Sequence, residues 1–175
     1  ADVHGFQIWV ALPEDQEYTE PSFHHVEKKA LPEWNQEGVE GRLVAGKAFD
    51  LEAPNPIEWP LFLADLRAME DVSIDLGGKF EGEIGICVVE GMVQACEHEI
   101  RAGQLLVSKE EHACKFQMKA GTHVMLFGGK SMGEDRHIFW NFVASSKERI
   151  EEAKQLWKDK KFDMLPDDDS YVPLP

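Results

Sequence analysis

Tight glycine turns between short apolar runs constrain this chain more than any other feature of its sequence. Gly91 and Gly103 interrupt residues 82–114, where branched and apolar side chains alternate with polar ones. Short strands joined by glycine turns at this spacing are typical of small antiparallel sandwiches and barrels. We therefore predict three or four strands within residues 82–114, as part of an all-β domain.

The same alternation predicts further strands, and turn residues set their limits. Residues 61–69 and 72–76 are interpreted as the two strands of one hairpin. Additional strands are expected over residues 4–12, 23–30, 39–48, 122–127 and 137–143. Residues 49–60 contain three prolines and are interpreted as a surface crossover, because proline donates no backbone hydrogen bond to a sheet.

The periodicity changes after residue 143. Ile150, Ala153 and Trp157 recur at helical spacing, and Ser145 followed three residues later by Glu148 forms a capping box. We predict an amphipathic helix over residues 146–159 that docks on the barrel through its apolar stripe. The predicted organisation is an N-terminal strand and crossover segment (1–48), a β-barrel (49–144), the helix region (145–161) and an extended acidic tail (162–175).

Acidic residues outnumber basic residues by 33 to 18, which gives a formal net charge of −15. Such a surface repels nucleic acids and anionic membranes, so direct binding to either is not expected. The sequence shows no targeting segment and no apolar run as long as a membrane span. Three cysteines without a paired framework fit a reducing compartment, and we expect a cytoplasmic protein.

Cysteine and histidine residues gather in the glycine-turn region. Cys96 and His98 are two residues apart, as are His112 and Cys114, so each pair shares one face of a strand. Convergence of the four side chains would suit zinc. The spacing lacks the C-x-x-C pattern of zinc modules, however, and free cysteines often pack as small apolar groups. We therefore favour cysteines in the core and histidines at its edge or in solvent.

A nucleophilic cysteine assisted by a neighbouring histidine is less favoured. Side chains two apart on a strand are separated by about 7 Å, which is beyond hydrogen-bond reach. His112 would activate Cys114 only if the strand were distorted. No catalytic or ligand-binding residue is therefore assigned. Trp34 and Trp59 are interpreted chiefly as packing residues, and their predicted position in loops leaves a ligand or partner surface as the alternative.

Several longer stretches resemble the second half of pirin-like proteins of the cupin superfamily. The stretches are HGFQIWVALP at residues 4–13, GRLVAG at 41–46, RHIFWNFVASS at 136–146 and KERIEEAK at 147–154. Members of this family consist of two cupin β-barrels. The resemblance implies a cupin-type, jelly-roll-like antiparallel barrel with a C-terminal α-helix, preceded by the strand that leads into it.

The resemblance also implies where metal chemistry belongs. In this family one iron is bound by histidines and a glutamate in the first barrel; some members show quercetin dioxygenase activity and others act as protein-binding transcriptional cofactors. No His-x-His sequence occurs in the 175 residues. In the second barrel, residues 79–83 lack a histidine, and the later histidine position falls on Cys114. No metal ligand is carried over, so we expect no cofactor in this chain.

These observations favour a non-catalytic, metal-free C-terminal cupin domain with a structural or protein-interaction role. The alternative is a part of an iron-dependent, quercetin-type dioxygenase whose metal-binding barrel precedes this chain. The expected partners are that N-terminal cupin domain, another protein, or a second copy through dimerisation or strand exchange by residues 6–12. The chain has no initiating Met and begins almost directly with a strand pattern, so we expect a fragment of a longer protein.

Overall fold

Antiparallel strands dominate the computed structural model of the chain, which describes residues 5–77, 79–80, 82–95, 97–109, 115–163, 167 and 170–175. In that part of the chain the strands are β1 (Glu33–Gln36), β2 (Val39–Ala48), β3 (Leu51–Glu52), β4 (Leu61–Ala68), β5 (Val72–Asp75), β6 (Glu83–Glu90), β7 (Met92–Ala95), β8 (His98–Arg101), β9 (Leu105–Ser108), β10 (Lys115–Met118), β11 (His123–Gly129), β12 (His137–Phe139) and β13 (Phe142–Ala144). The helix α1 is Lys147–Lys158, and 3₁₀ turns occur at Glu14–Gln16 and Lys28–Ala30. The prediction of an all-β fold with a C-terminal helix is confirmed.

Two sheets form the unit Pro21–Ser131. The larger has the order β1-β2-β4-β11-β6-β9, with β3 paired to β2, and the smaller has the order β5-β10-β7-β8. Buried side chains of both sheets form one hydrophobic core. Four strands occupy residues 82–114 in the described sequence, and positive φ angles of 76° at Gly91 and 84° at Gly103 form the predicted glycine turns.

The second unit consists of Ala1–Glu20 and Met132–Pro175. In its described residues, β12 and β13 pair as a hairpin and α1 follows. In the Pro21–Ser131 unit, β1 and β2 belong to the same sheet as the later strands β4, β6, β9 and β11. Among the described residues, no helix has the length and apolar character needed to cross a membrane.

Strand pairing corrects one prediction made from the alternation of side chains. β4 and β5 were predicted to pair with each other, but β4 pairs with β2 and β11, whereas β5 pairs with β10 in the other sheet. Side-chain alternation identifies a strand, but it does not identify the strand that accepts its hydrogen bonds.

Two other strand predictions were wrong. Residues 5–12 and 23–27 form no strand, although the first segment alternates well. Most large apolar side chains of residues 6–12 are exposed. An isolated extended segment is no strand, because its backbone groups need a paired neighbour.

The region that follows residue 136 also differs in detail from the prediction. The single strand predicted over residues 137–143 is a hairpin, because Trp140 adopts a φ of 53° and reverses the chain. The predicted helix is confirmed, but its N-cap is Ser146, whose Oγ accepts a hydrogen bond from Arg149 N at 3.2 Å. Ser145 instead donates its hydroxyl to Glu17 at 3.1 Å.

Candidate functional site

The inner face of the larger sheet is apolar along β4, β6 and β11. The inward-facing residues on these strands are all buried: Phe62, Ala64, Leu66, Ala68, Ile84, Ile86, Val88, Val124 and Leu126. Iron and zinc need nitrogen, oxygen or sulfur ligands, and none of these side chains supplies one that suits either ion. The described interior therefore fits hydrophobic packing and does not fit the histidine and glutamate set that holds iron in the resembling family.

A series of four aromatic rings extends this core. The ring centroids of Trp34 and Phe49 are 4.6 Å apart, and those of Phe49 and Phe80 meet edge to face at 5.1 Å. Phe80 then stacks on Phe62 at 4.0 Å. Trp34, which we predicted in a loop, lies in β1. The four rings fill space in the Pro21–Ser131 unit with carbon rather than with ligand atoms.

Of the four cysteine and histidine residues considered as a zinc site and not favoured, only one lies within the described residues. Cys96, His112 and Cys114 lie outside the described residues. His98 is exposed at the start of β8, where it pairs with Ala95 across to β7. Within the described ranges, no group of three or more His, Cys, Asp or Glu side chains is arranged to hold a metal ion.

A cleft of about 890 Å³ lies at one end of the larger sheet, and we call it the sheet-end cleft. It is formed where β2 and β11 end and where β4 begins, together with the crossover that precedes β4. Its lining residues are Gly46, Lys47, Glu52, Ala53, Pro54, Asn55, Pro56, Ile57, Glu58, Trp59, Pro60, Leu61, Phe62, Lys79, Phe80 and Gly129. The crossover that we predicted from its prolines is thus the wall of a cavity.

Backbone hydrogen bonds hold the crossover at both ends. Ala53 N donates to Gly46 O at 2.9 Å, and Lys130 N donates to Pro60 O at 2.9 Å. The indole of Trp59 adds a bond of 2.6 Å to Lys130 O. Because prolines also restrict φ along this segment, the cleft wall is preorganised in the free protein. Trp59, which we predicted as a candidate for a ligand surface, lines this cavity.

Charged groups lie around the sheet-end cleft. Lys47 Nζ is 3.0 Å from Glu52 Oε1, so these two charges compensate each other. Lys79 is exposed, and its Nζ lies 5.9 Å from the centroid of the Phe49 ring. Among the described residues, Lys79 forms no ion pair within 4 Å. It therefore offers a cation beside an aromatic surface.

A buried histidine and an aspartate form a pair on the opposite face of the larger sheet. His123 Nε2 lies 2.7 Å from Asp65 Oδ1, and the His123 side chain is only 6% exposed. Arg42 approaches the other Asp65 oxygen at 3.5 Å and bonds Glu33 at 2.8 Å. One sequence signal points to this group, because Asp65 stands in the middle of an otherwise largely apolar strand.

Glu17 is the centre of a charged cluster in the other unit. Its side chain is 10% exposed and accepts hydrogen bonds from Arg149 and from Ser145. Arg136 Nε lies 3.8 Å from its second oxygen. Burial alone would raise the pKa of Glu17, but the hydrogen bonds from Arg149 and Ser145 outweigh it and hold the pKa below its usual value.

Comparison with known proteins identifies the family that this chain resembles. Residues 63–163 match the Pirin C-terminal cupin domain. A pirin-like protein of Caulobacter vibrioides is 37% identical over 174 residues, which cover 98% of this chain and 59% of that protein. Together with the strands and helix described above, this match confirms the predicted resemblance.

Solved structures give the same result for the fold. A quercetin 2,3-dioxygenase from Acinetobacter baumannii superposes with a TM-score of 0.83 at 26% identity, covering 95% of this chain and 56% of that one. A second structure described by the same name and organism has a TM-score of 0.75 at 22% identity, with coverages of 88% and 55%. The cupin fold is therefore confirmed, and the chain spans a little more than half the length of these relatives.

Proposed function

Because this chain belongs to the pirin family through its C-terminal cupin domain, we propose that it is a non-catalytic, metal-free barrel with a structural and protein-interaction role. The observation that carries this proposal is the apolar inner face of β4, β6 and β11. Iron and zinc are bound by imidazole, carboxylate or thiolate groups, and the described part of this face carries phenylalanine, leucine, isoleucine, valine and alanine instead. To bind a metal, this face would need several buried polar side chains. Each of them would destabilise the fold when no metal is bound.

The aromatic series supports the same proposal. Phe62 and Phe80 are stacked and buried, and Phe49 and Trp34 continue the series outward. Stacked and edge-to-face rings contribute about 0.5–1.5 kcal/mol per pair beyond the area that they bury. Packing of these rings stabilises the interior, which supports a barrel that folds without a bound ion.

Metal reconstitution tests the proposal. The purified chain is incubated anaerobically with Fe(II), and separately with Zn(II), then desalted and measured for bound metal by mass spectrometry. The control is the same chain with Cys96→Ser, His98→Gln, His112→Gln and Cys114→Ser. We expect less than about 0.1 metal per chain in both proteins, since a site needs three or four convergent ligands. Close to one metal per chain, lost in the control, would contradict the proposal.

A second function rests on the named relatives. Two similar structures are quercetin 2,3-dioxygenases, and each is longer than the matching part of this chain. The alternative is that this domain belongs to an iron-dependent dioxygenase of that type, with the metal bound in a preceding barrel. In that case the domain would assist catalysis by supporting the neighbouring barrel, without a ligand of its own.

A two-barrel protein separates the alternatives. The part of the Caulobacter relative that lies outside its match to this chain is joined to this chain, and oxygen consumption is measured with quercetin and Fe(II). Quercetin-dependent oxygen consumption by the joined protein, with none by this chain alone, would support the dioxygenase role. If the joined protein folds and binds iron but does not consume oxygen, the structural and interaction role is favoured instead.

A further inference from the structure

The sheet-end cleft has the construction of a small-molecule binding site, and we propose that it binds a planar aromatic carboxylate. This inference does not depend on where the family's iron is bound, because every lining residue belongs to the Pro21–Ser131 unit. At about 890 Å³ the cleft lies in the size range of ligand pockets. Like other ligand pockets, it is lined by aromatic and aliphatic side chains together with a few polar groups.

Its shape is fixed before any ligand arrives. Gly46 has a φ of 75°, and a Cβ at this position would lie within contact distance of Leu61 O, so the backbones of β2 and β4 approach closely at the cleft floor. The hydrogen bonds at Ala53, Trp59 and Lys130 hold the wall above that floor. A preformed wall reduces the ordering cost of binding.

The walls favour a flat aromatic group. Trp59 and Ile57 are half-buried, while Phe62 and Phe80 are stacked beneath with their centroids 4.0 Å apart. Pro54, Pro56 and Pro60 supply apolar rings and lack N–H groups, so this wall offers few donors to a polar ligand. Aromatic side chains contact flat ring systems over a large area at little conformational cost.

The lysine at the edge of the sheet-end cleft favours a ligand that carries an anionic group at one end. Lys79 is exposed beside Phe49 and forms no ion pair within 4 Å among the described residues, whereas Lys47 is already paired with Glu52. Glu58 also lines the cleft, and it would repel an anion placed at its side. The carboxylate is therefore assigned to the Lys79 end, with the ring toward Trp59. In a chain of net charge −15, a lysine at the edge of this cavity distinguishes it from the average surface.

Titration with 2-naphthoate tests the proposal, with 2-naphthalenemethanol as the neutral analogue of the same shape. Binding is followed by amide chemical shifts of the ¹⁵N-labelled chain. We expect a dissociation constant on the order of 1 mM, as is usual for a ligand with about a dozen heavy atoms. The largest shifts should fall on residues 53–62 and 79–80, and the neutral analogue should bind more weakly.

Three variants decide the outcome. Lys79→Met should weaken naphthoate binding about threefold and leave the neutral analogue unaffected, since an exposed ion pair is worth about that much. Ile57→Glu should abolish binding of both compounds. Lys161→Met, on the other unit, is the matched control and should change neither. Each variant is used only if its amide spectrum retains the dispersion of the parent.

Two results would overturn the proposal. If the shifts fall outside the cleft, or if Ile57→Glu binds naphthoate as the parent does, the cleft is not the site. If Lys79→Met weakens neither compound, or weakens both equally, the assignment of the carboxylate is wrong. Neither result would bear on metal binding, so failure here is distinct from failure of the proposed metal-free role.

Discussion

The Asp65 carboxylate lies 2.7 Å from His123 Nε2, on the face of the larger sheet that is turned away from the hydrophobic core. The two residues come from the adjacent strands β4 and β11, in which Asp65 is opposite Met125. His123 is almost fully buried, and its other ring nitrogen has no hydrogen-bond partner among the described residues. Asp65 is thus the partner that satisfies this buried imidazole.

Removing that partner should destabilise the protein. We expect Asp65→Ala to lower the free energy of unfolding by about 1–3 kcal/mol, because a buried nitrogen loses its hydrogen bond. Urea unfolding at pH 7 measures the effect. The matched control is Asp71→Ala, which removes an exposed carboxylate paired with Lys119 and should produce a clearly smaller loss. Equal losses in the two variants would show that the buried pair stabilises the fold no more than an exposed ion pair does.

The Glu17 cluster predicts a dependence of stability on pH. Because the pKa of Glu17 in the folded protein lies below its usual value of 4.5, its ionised form stabilises the fold above that pH, and this stabilisation is lost as the pH falls through the folded-state pKa. Glu17→Gln should therefore cost about 1.5–3 kcal/mol at pH 7, the usual contribution of a hydrogen bond to a charged group. The loss should shrink as the pH falls from 4.5 through the lowered folded-state pKa.

Unfolding of Glu17→Gln and the parent, measured by urea at several pH values from 7 to 3, checks this prediction. Glu20→Gln, a change at an exposed position of the same loop, serves as the control and should follow the parent curve throughout. A Glu17→Gln difference that stays constant across this range would contradict the assignment of the lowered pKa to a stabilising interaction.

Two glycines with the same backbone conformation should respond differently to alanine. Gly46 and Gly103 have φ angles of 75° and 84°, but a Cβ at Gly46 would meet Leu61 O, whereas nothing lies within 4 Å of one at Gly103. We expect Gly103→Ala to cost about 1 kcal/mol from backbone strain alone. Gly46→Ala should cost at least about 2 kcal/mol more, because β2 and β4 must also move apart.

Thermal and urea unfolding of both variants measure the difference. Similar losses would mean that the close backbone approach at the cleft floor does not constrain the fold. A loss confined to Gly46→Ala would, in contrast, identify this approach as the reason for glycine at position 46.

Local sequence patterns predicted the strands well but did not predict their partners. β2, β4, β11 and α1 were located from periodicity and turn residues, because alternation and helical spacing are properties of a single segment. The pairing of β5 with β10 joins residues about 40 positions apart, and no local pattern encodes it. Residues 6–12 have the side-chain alternation of a strand, but no neighbouring strand pairs with them, so they form no strand.

The candidate site was predictable only in part. Three prolines located the crossover, and Trp59 was identified as a possible ligand surface. The cleft itself depends on Phe80, Lys79 and Gly129, which are distant in sequence from that crossover and meet it only after the sheet has formed. The Asp65–His123 and Glu17–Arg149 contacts were missed for the same reason, because each joins residues more than 50 positions apart.

The proposed role requires that this cupin barrel binds no metal ion. Its most direct test is the free energy of unfolding in urea, measured for the same chain with 5 mM EDTA and with 0.1 mM Fe(II) under anaerobic conditions. A ligand that binds only the folded state raises this free energy by about 2.7 kcal/mol when its concentration is 100 times the dissociation constant. We predict equal free energies in the two solutions. An increase of that size with Fe(II), reversed by EDTA, would contradict the claim.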